Sequence, residues 1–244
     1  MQNVKLLIEY DGTRFCGWQR QENGRTVQEE IEKALSKVMK KEIRINGSGR
    51  TDAGVHALGQ VASFQGDFSI PVDRISLALN ALLPEDISIH DAVAVGEDFH
   101  ARYSAKGKRY IYQIYNHPYR SALYRNYAYF VPQVLDIEAM ERAAAYFLGE
   151  HDFRGFMASG SSVKDTVRTI YSLDVYQMDK MIKLEISGNG FLYNMVRIIA
   201  GTLTEVGKGK IDAEQVPHII HSCSRKQAGP TAPPQGLYLA EVYY

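Results

Sequence analysis

The chain has 244 residues, 45% hydrophobic and 23% charged, and its 28 basic residues balance 28 acids to a formal net charge of zero. This is ordinary for a soluble globular protein of one large domain or two small ones. No apolar run approaches the roughly 18 residues of a membrane helix, Met1-Gln2-Asn3-Val4-Lys5 does not read as a secretory signal, and Cys16 and Cys223, with no Cys-x-x-Cys pair, argue against a disulfide framework or structural zinc and for a reducing, cytoplasmic setting.

Val4 to Glu9 is expected to form a first strand, followed by a glycine-containing loop through Gly24. Thr26 and Glu29 have capping-box spacing, and Val27, Ile31, Ala34, Leu35 and Val38 recur behind them at helical spacing. Glu42 to Gly47 and Gln60 to Phe64 read as strands, with the loop around Asp52 between them. Pro71 suits the first turn of a helix carrying Ile75, Leu79 and Leu82. Ile87 to Val95 reads as the next strand, giving the order β-α-β-β-α-β.

The second half repeats that order without repeating residues. Tyr103 to Tyr115 reads as a long tyrosine-rich strand, and Asp136 caps a helix bearing Ile137, Met140, Ala144 and Phe147, stopped by Gly149. Val167 to Gln177 and Met181 to Ser187 form two strands around a turn at Met178-Asp179-Lys180. A helix from Phe191 to Val206 follows, then a short helical piece at Asp212 to His221 interrupted by Pro217, and a last strand at Leu237 to Tyr243. The expected fold is α+β: two ferredoxin-like, split βαβ halves. These would join into a mixed, mainly antiparallel central sheet flanked by helices, with the active-site cleft between halves. The boundary falls in Gly96 to His100, giving an N-terminal half of 1–98 and a C-terminal half of 99–244.

Within Gly47-Ser48-Gly49-Arg50-Thr51-Asp52-Ala53-Gly54-Val55-His56, Asp52 lies in a loop that glycines allow to turn sharply. Loop carboxylates often bond only their own backbone, so Asp52 becomes a candidate nucleophile or base through what the rest of the chain offers it. Arg197 sits in Phe191-Leu192-Tyr193-Asn194-Met195-Val196-Arg197-Ile198-Ile199-Ala200, apolar on nearly every face. A buried arginine needs an anionic partner, which is either Asp52 from the other half or a structural acid such as Glu185. Tyr110 and Tyr112 share one face of their strand and stand beside Lys108 and Arg109, as base stacking on RNA requires and as half-buried strands also commonly show. Arg102, Lys106, Lys108 and Arg109 run without an acid, and Lys37, Lys40, Lys41, Arg44 and Arg50 are opposed by Glu42 alone. Such faces would suit phosphates. Asp11, Asp52, His56 and His100 form no compact metal motif, and an aspartic-protease reading lacks the second loop it would need.

Several ordered blocks resemble one family. Gly49-Arg50-Thr51-Asp52-Ala53-Gly54-Val55-His56 is similar to the signature of the A-type tRNA pseudouridine synthases. Tyr10-Asp11-Gly12-Thr13 with Gly17-Trp18-Gln19-Arg20, Asp98 to Ala105, Arg109-Tyr110, Met195 to Gly201, and Gly236-Leu237-Tyr238-Leu239 match further blocks, in order over almost the whole chain. The resemblance implies an isomerase that converts uridine to pseudouridine in the anticodon stem-loop of tRNA, at positions 38, 39 and 40. It implies a homodimer and no cofactor or metal. It maps the catalytic aspartate onto Asp52, the substrate-contacting tyrosine onto Tyr110, the aspartate-pairing arginine onto Arg197, and the signature arginine, which guides the flipped nucleotide, onto Arg50. Arg14, Arg20, Arg102, Lys106, Lys108 and Arg109 are the candidate RNA contacts. Three routes are open to Asp52: attack at C1′, attack at C6, or removal of a sugar proton to give a glycal. A binding protein that has lost catalysis, and the same chemistry on another RNA position, are the competing readings.

Overall fold

A computed structural model describes residues 2–160 and 163–244. The chain divides into two compact units, residues 1–106 with 238–244, and residues 107–237.

In the first unit, strand β1 (Gln2–Tyr10) buries Val4, Leu6, Ile8 and Tyr10 on alternate positions, the period-two pattern of a strand with one covered face. It pairs antiparallel with β3 (His56–Gly66) and with β4 (Ile87–Val95). Strand β10 (Leu237–Tyr243) runs parallel to β3 through Tyr238 opposite His56 and Leu239 opposite Ala57. The short β2 (Asn46–Gly47) pairs antiparallel with β3. Helix α1 (Val27–Met39) starts at Thr26, whose hydroxyl accepts the Glu29 amide as the sequence predicts, and it buries Val27, Ile31, Ala34 and Leu35. Helix α2 (Val72–Asn80) follows Pro71 and buries Ile75 and Leu79. The Asn80 amide bonds both the N–H and the C=O of Ile89, at 2.8 and 2.9 Å, tying the end of α2 to β4.

In the second unit the antiparallel order is β5 (Gly107–Asn116), β9 (Met181–Gly188), β8 (Val167–Met178), β7 (Gly149–Asp152). The short β6 (Tyr129–Val131) pairs parallel with β5. Asp179 takes a positive φ of 53° in the turn from β8 to β9, a conformation tight hairpins require and aspartate tolerates. Helix α3 (Ile137–Ala145) is capped by Asp136, which accepts the Ala139 amide. Helix α4 (Met195–Gly207) is buried along most of its length, and α5 (Val216–His221) carries Pro217 in its first turn, where a missing N–H costs little. The structure is thus mixed α+β with mainly antiparallel sheet and flanking helices.

Strand β3 starts earlier than the sequence-based expectation, at His56 rather than Gln60, β6 and β7 fall where no strand is expected, and three elements start later. Residues 42–45 are not strand, because α1 side chains take their amides: Ser36 Oγ accepts from Ile43 and Glu32 Oε1 from Ile45. The strand expected from Tyr103 starts at Gly107, because residues 101–104 turn, with the Ser104 amide on His100 O and the Ala101 amide on Ser63 Oγ. The helix expected from Phe191 starts at Met195, because Asn194 is left-handed at φ 61°.

Gly201 of α4 lies so close to the segment 229–232 that a Cβ there would fall 1.8 Å from Pro230 O. The contact is fastened by Gly229 N–H on Thr202 Oγ1 at 2.9 Å and Ala232 N–H on Arg197 O at 3.0 Å. Gly201→Ala should therefore lower unfolding stability by about 1–3 kcal/mol, measured by urea denaturation. A loss under about 0.5 kcal/mol, the range of surface substitutions, would show that this segment yields freely.

Candidate active site

Asp52 is half-buried on a loop of the first unit. The loop is fixed on both sides. Before Asp52, Ser48 N–H bonds Val61 O at 2.7 Å, Ser48 Oγ donates to Gln60 Oε1 at 2.6 Å, and Gln60 Nε2 donates to Gly49 O at 3.1 Å. The Thr51 hydroxyl meets the Tyr10 hydroxyl at 2.8 Å. After it, Val55 N–H returns to Asp52 O at 3.2 Å, closing the turn.

The segment 11–18 lies against this loop. Trp18 N–H bonds Thr51 O at 3.1 Å and Gly54 N–H bonds Phe15 O at 3.4 Å. Gly17 has φ 93°, and a Cβ there would meet Thr51 O at 2.5 Å and the Asp52 carbonyl carbon at 3.2 Å, so only glycine fits the approach. Beyond the loop, His56 Nδ1 accepts the Gly12 amide at 3.1 Å and lies 3.2 Å from Asp11 Oδ1, while its ring stacks on Tyr238 with centroids 4.8 Å apart. Two members of the metal reading, Asp11 and His56, thus meet each other beside a backbone amide. Among the described residues no group of three or more His, Cys, Asp or Glu is placed to hold a metal, and no helix is long and apolar enough to cross a membrane.

Tyr110 and Arg197 belong to the second unit. Tyr110 is buried on β5 with its ring edge-on to Phe191, centroids 5.1 Å apart. Arg197 is in the first turn of α4 and half-buried. Its Nε donates to Ala232 O at 2.8 Å and one terminal nitrogen to Asn194 Oδ1 at 2.7 Å. Tyr112, on the same strand face as Tyr110, donates its hydroxyl to the neighbouring carbonyl of Pro233 at 2.8 Å. Burial pushes the Tyr112 phenol well above the ordinary range, and the charge of Arg197 works against that rise. Arg197 adds its charge to the positive end of the α4 dipole, so this end of α4 favours an anion. Glu185, the alternative partner weighed for Arg197, is bonded instead by Arg109 at 3.2 Å and by the Tyr176 hydroxyl.

Among the basic candidates, Arg50, Arg102 and Lys106 are exposed, and Lys108 and Arg109 are half-buried. Arg14 and Arg20 are also exposed, each with one carboxylate nearby: Asp86 at 3.3 Å for Arg14 and Glu32 at 3.6 Å for Arg20. Sequence reasoning passed over Gln60 and Thr51. The signal that marks Gln60 is a polar residue inside the apolar stretch Gln60-Val61-Ala62-Ser63-Phe64, where it is fully buried.

A family model described as tRNA pseudouridine synthase matches residues 6–104 and 143–244. The chain belongs to the tRNA pseudouridine synthase family. Relatives include the tRNA pseudouridine synthase A of Acetivibrio thermocellus, 58% identical over all of both chains, and that of Ruminiclostridium cellulolyticum, 55% identical over all of both. The protein of that name from Caldicellulosiruptor bescii is 52% identical, again over the whole of each chain. The chain is accordingly a pseudouridine synthase, an isomerase of tRNA processing.

Proposed function

We propose that the chain isomerises uridines 38, 39 and 40 of the tRNA anticodon stem-loop, with Asp52 as the nucleophile, Tyr110 against the flipped base and Arg197 paired with Asp52. The observation that carries the reading is the Asp52 loop itself: a carboxylate in the family's signature, on a backbone braced by Tyr10, Gly17 and Gln60. Bracing of that kind serves a group that must meet a reacting atom in one orientation.

The reaction breaks the N1–C1′ bond, turns the uracil, joins C5 to C1′, releases the C5 proton to solvent and leaves N1 to take one up. Substrate and product are thus isomers, and there is no redox change. The target nucleotide leaves its stack at a cost of a few kcal/mol. Asp52 then attacks C1′ or C6, or takes a sugar proton. Arg197 pairs with the carboxylate and fixes the direction in which it points. The buried Tyr110 ring offers the base a stacking surface, and its hydroxyl a route for the C5 proton. Arg50 guides the flipped nucleotide. Arg14, Arg20, Arg102, Lys106, Lys108 and Arg109 take phosphates, so that shape and backbone carry much of the recognition. The reading extends to a homodimer acting in the cytoplasm, on the family resemblance.

The test is tritium release from tRNA labelled at uridine C5, followed by mapping of the modified positions. Release with pseudouridine at 38, 39 and 40 is expected. Binding without release would make the chain an RNA-binding protein on an enzyme's fold, and release from other positions would reassign the target. Tyr110→Phe should keep the fold and lower single-turnover rate about 10²-fold. Wild-type rates would reduce Tyr110 to a packing partner of Phe191.

A further inference from the structure

We propose that Tyr10 and Gln60 are positioning residues for the reaction, acting through a buried hydrogen-bond clamp on the loop that presents Asp52. The proposal rests on the reading of Asp52 as the nucleophile and adds residues that touch neither the substrate nor the carboxylate.

The clamp has two jaws, one from each of two paired strands. Tyr10 ends β1, and Gln60 lies within β3. Tyr10 is 3% exposed, Gln60 is 0% exposed and Ser48 is 2% exposed. The Tyr10 hydroxyl bonds Thr51 Oγ1 at 2.8 Å, immediately before Asp52. Gln60 engages both ends of its amide: Oε1 accepts from Ser48 Oγ at 2.6 Å and from Val61 N–H at 3.1 Å, and Nε2 donates to Gly49 O at 3.1 Å. Ser48, Gly49 and Thr51, three of the residues just before or beside Asp52, are therefore all held by buried side chains.

Buried polar side chains cost desolvation, and an apolar core would do without them. Three such side chains converge here on one loop, which accounts for their presence as geometry control. Burial also pushes the Tyr10 phenol far above its ordinary range, which favours the protonated hydroxyl that the bond to Thr51 uses. The jaws act on residues beside the nucleophile, Tyr10 at the Thr51 hydroxyl and Gln60 at the Ser48 hydroxyl and the Gly49 carbonyl, so their loss should change where Asp52 sits and leave RNA affinity alone.

The experiment is single-turnover kinetics on C5-tritiated tRNA with Tyr10→Phe, Thr51→Val, Thr51→Ser and the double variant Tyr10→Phe/Thr51→Val. The rate at saturating enzyme should fall between about 10- and 100-fold in Tyr10→Phe and in Thr51→Val, the cost of a small misplacement, while the half-saturating enzyme concentration stays within about twofold. Thr51→Ser, which keeps the hydroxyl, should recover most of the rate lost in Thr51→Val. The double variant should be no slower than the worse single one, because both cut the same bond. A merely structural clamp would lower melting temperature without this split between rate and affinity. Rates within twofold of wild type in both single variants, or losses that multiply in the double variant, would overturn the proposal. If Tyr10→Phe fails to fold, the Thr51 pair decides alone. Asp52→Asn run beside them separates the two readings: an active Asp52→Asn removes the nucleophile, whereas an inactive one beside a fully active Tyr10→Phe removes only the clamp.

Discussion

Asp52→Asn should bind tRNA as tightly as the wild type and form pseudouridine at least about 10⁴-fold more slowly, the loss typical of removing a nucleophile. The substitution is isosteric and Asp52 is half-buried. Bonds through the backbone of Asp52 and the side chains of Ser48, Thr51, Tyr10 and Gln60 help shape its loop and are kept. An amide at position 52 removes the negative charge that attack or proton abstraction needs. Gel-shift affinity and tritium release on one preparation decide the matter. Retained turnover within about tenfold would move the chemistry to another residue.

Arg197→Met should lower the rate about 10³-fold, the upper range for losing a preorganised charge in a site, and unlike Asp52→Asn it should also cost stability. Two hydrogen bonds leave with the guanidinium, to Ala232 O and Asn194 Oδ1. At about 0.5–1.5 kcal/mol each, a loss of about 1–3 kcal/mol is expected by urea denaturation. The Asn194 bond matters beyond its energy, because Asn194 holds a left-handed conformation at the entrance of α4. Arg197→Lys keeps the charge but lacks the planar fork that reaches both acceptors, so it should recover only part of the rate. Full activity in Arg197→Met would give this arginine to the packing of α4 against Ala232 and nothing else.

The parts of the fold that the sequence announced are those governed by local periodicity. Strands β4 and β10 have the expected ends, and α1 starts at its expected cap, because alternation, helical spacing and capping chemistry lie within a few neighbouring residues. These failures share a cause in hydrogen bonds and backbone turns that local spacing does not reveal. Residues 42–45 have strand-like composition, yet Glu32 and Ser36, from the preceding helix, accept the amides that a neighbouring strand would otherwise take. Residues 191–194 have helix-like apolar spacing, yet Ala158 N–H bonds Tyr193 O and Asn194 turns left-handed, so the helix starts late. Asp52 and Tyr110 stood out by motif and by type. The Tyr10, Thr51 and Gln60 bonds did not, because each joins residues far apart in the chain whose types are unremarkable alone.

Strand β10 carries a consequence for how the protein is made. Synthesis runs from the amino end, so the His56–Ala57 end of β3, which leaves the Asp52 loop, is translated long before Tyr238 and Leu239, its partners. The whole of 107–237 is translated in between. At ordinary elongation rates that interval is on the order of ten seconds. During it the nascent first unit shows an unpaired strand edge, of the kind that recruits chaperones or aggregates. The sheet edge beside the Asp52 loop is thus completed late, and a chain cut short before residue 238 would leave the start of β3 without its parallel partner.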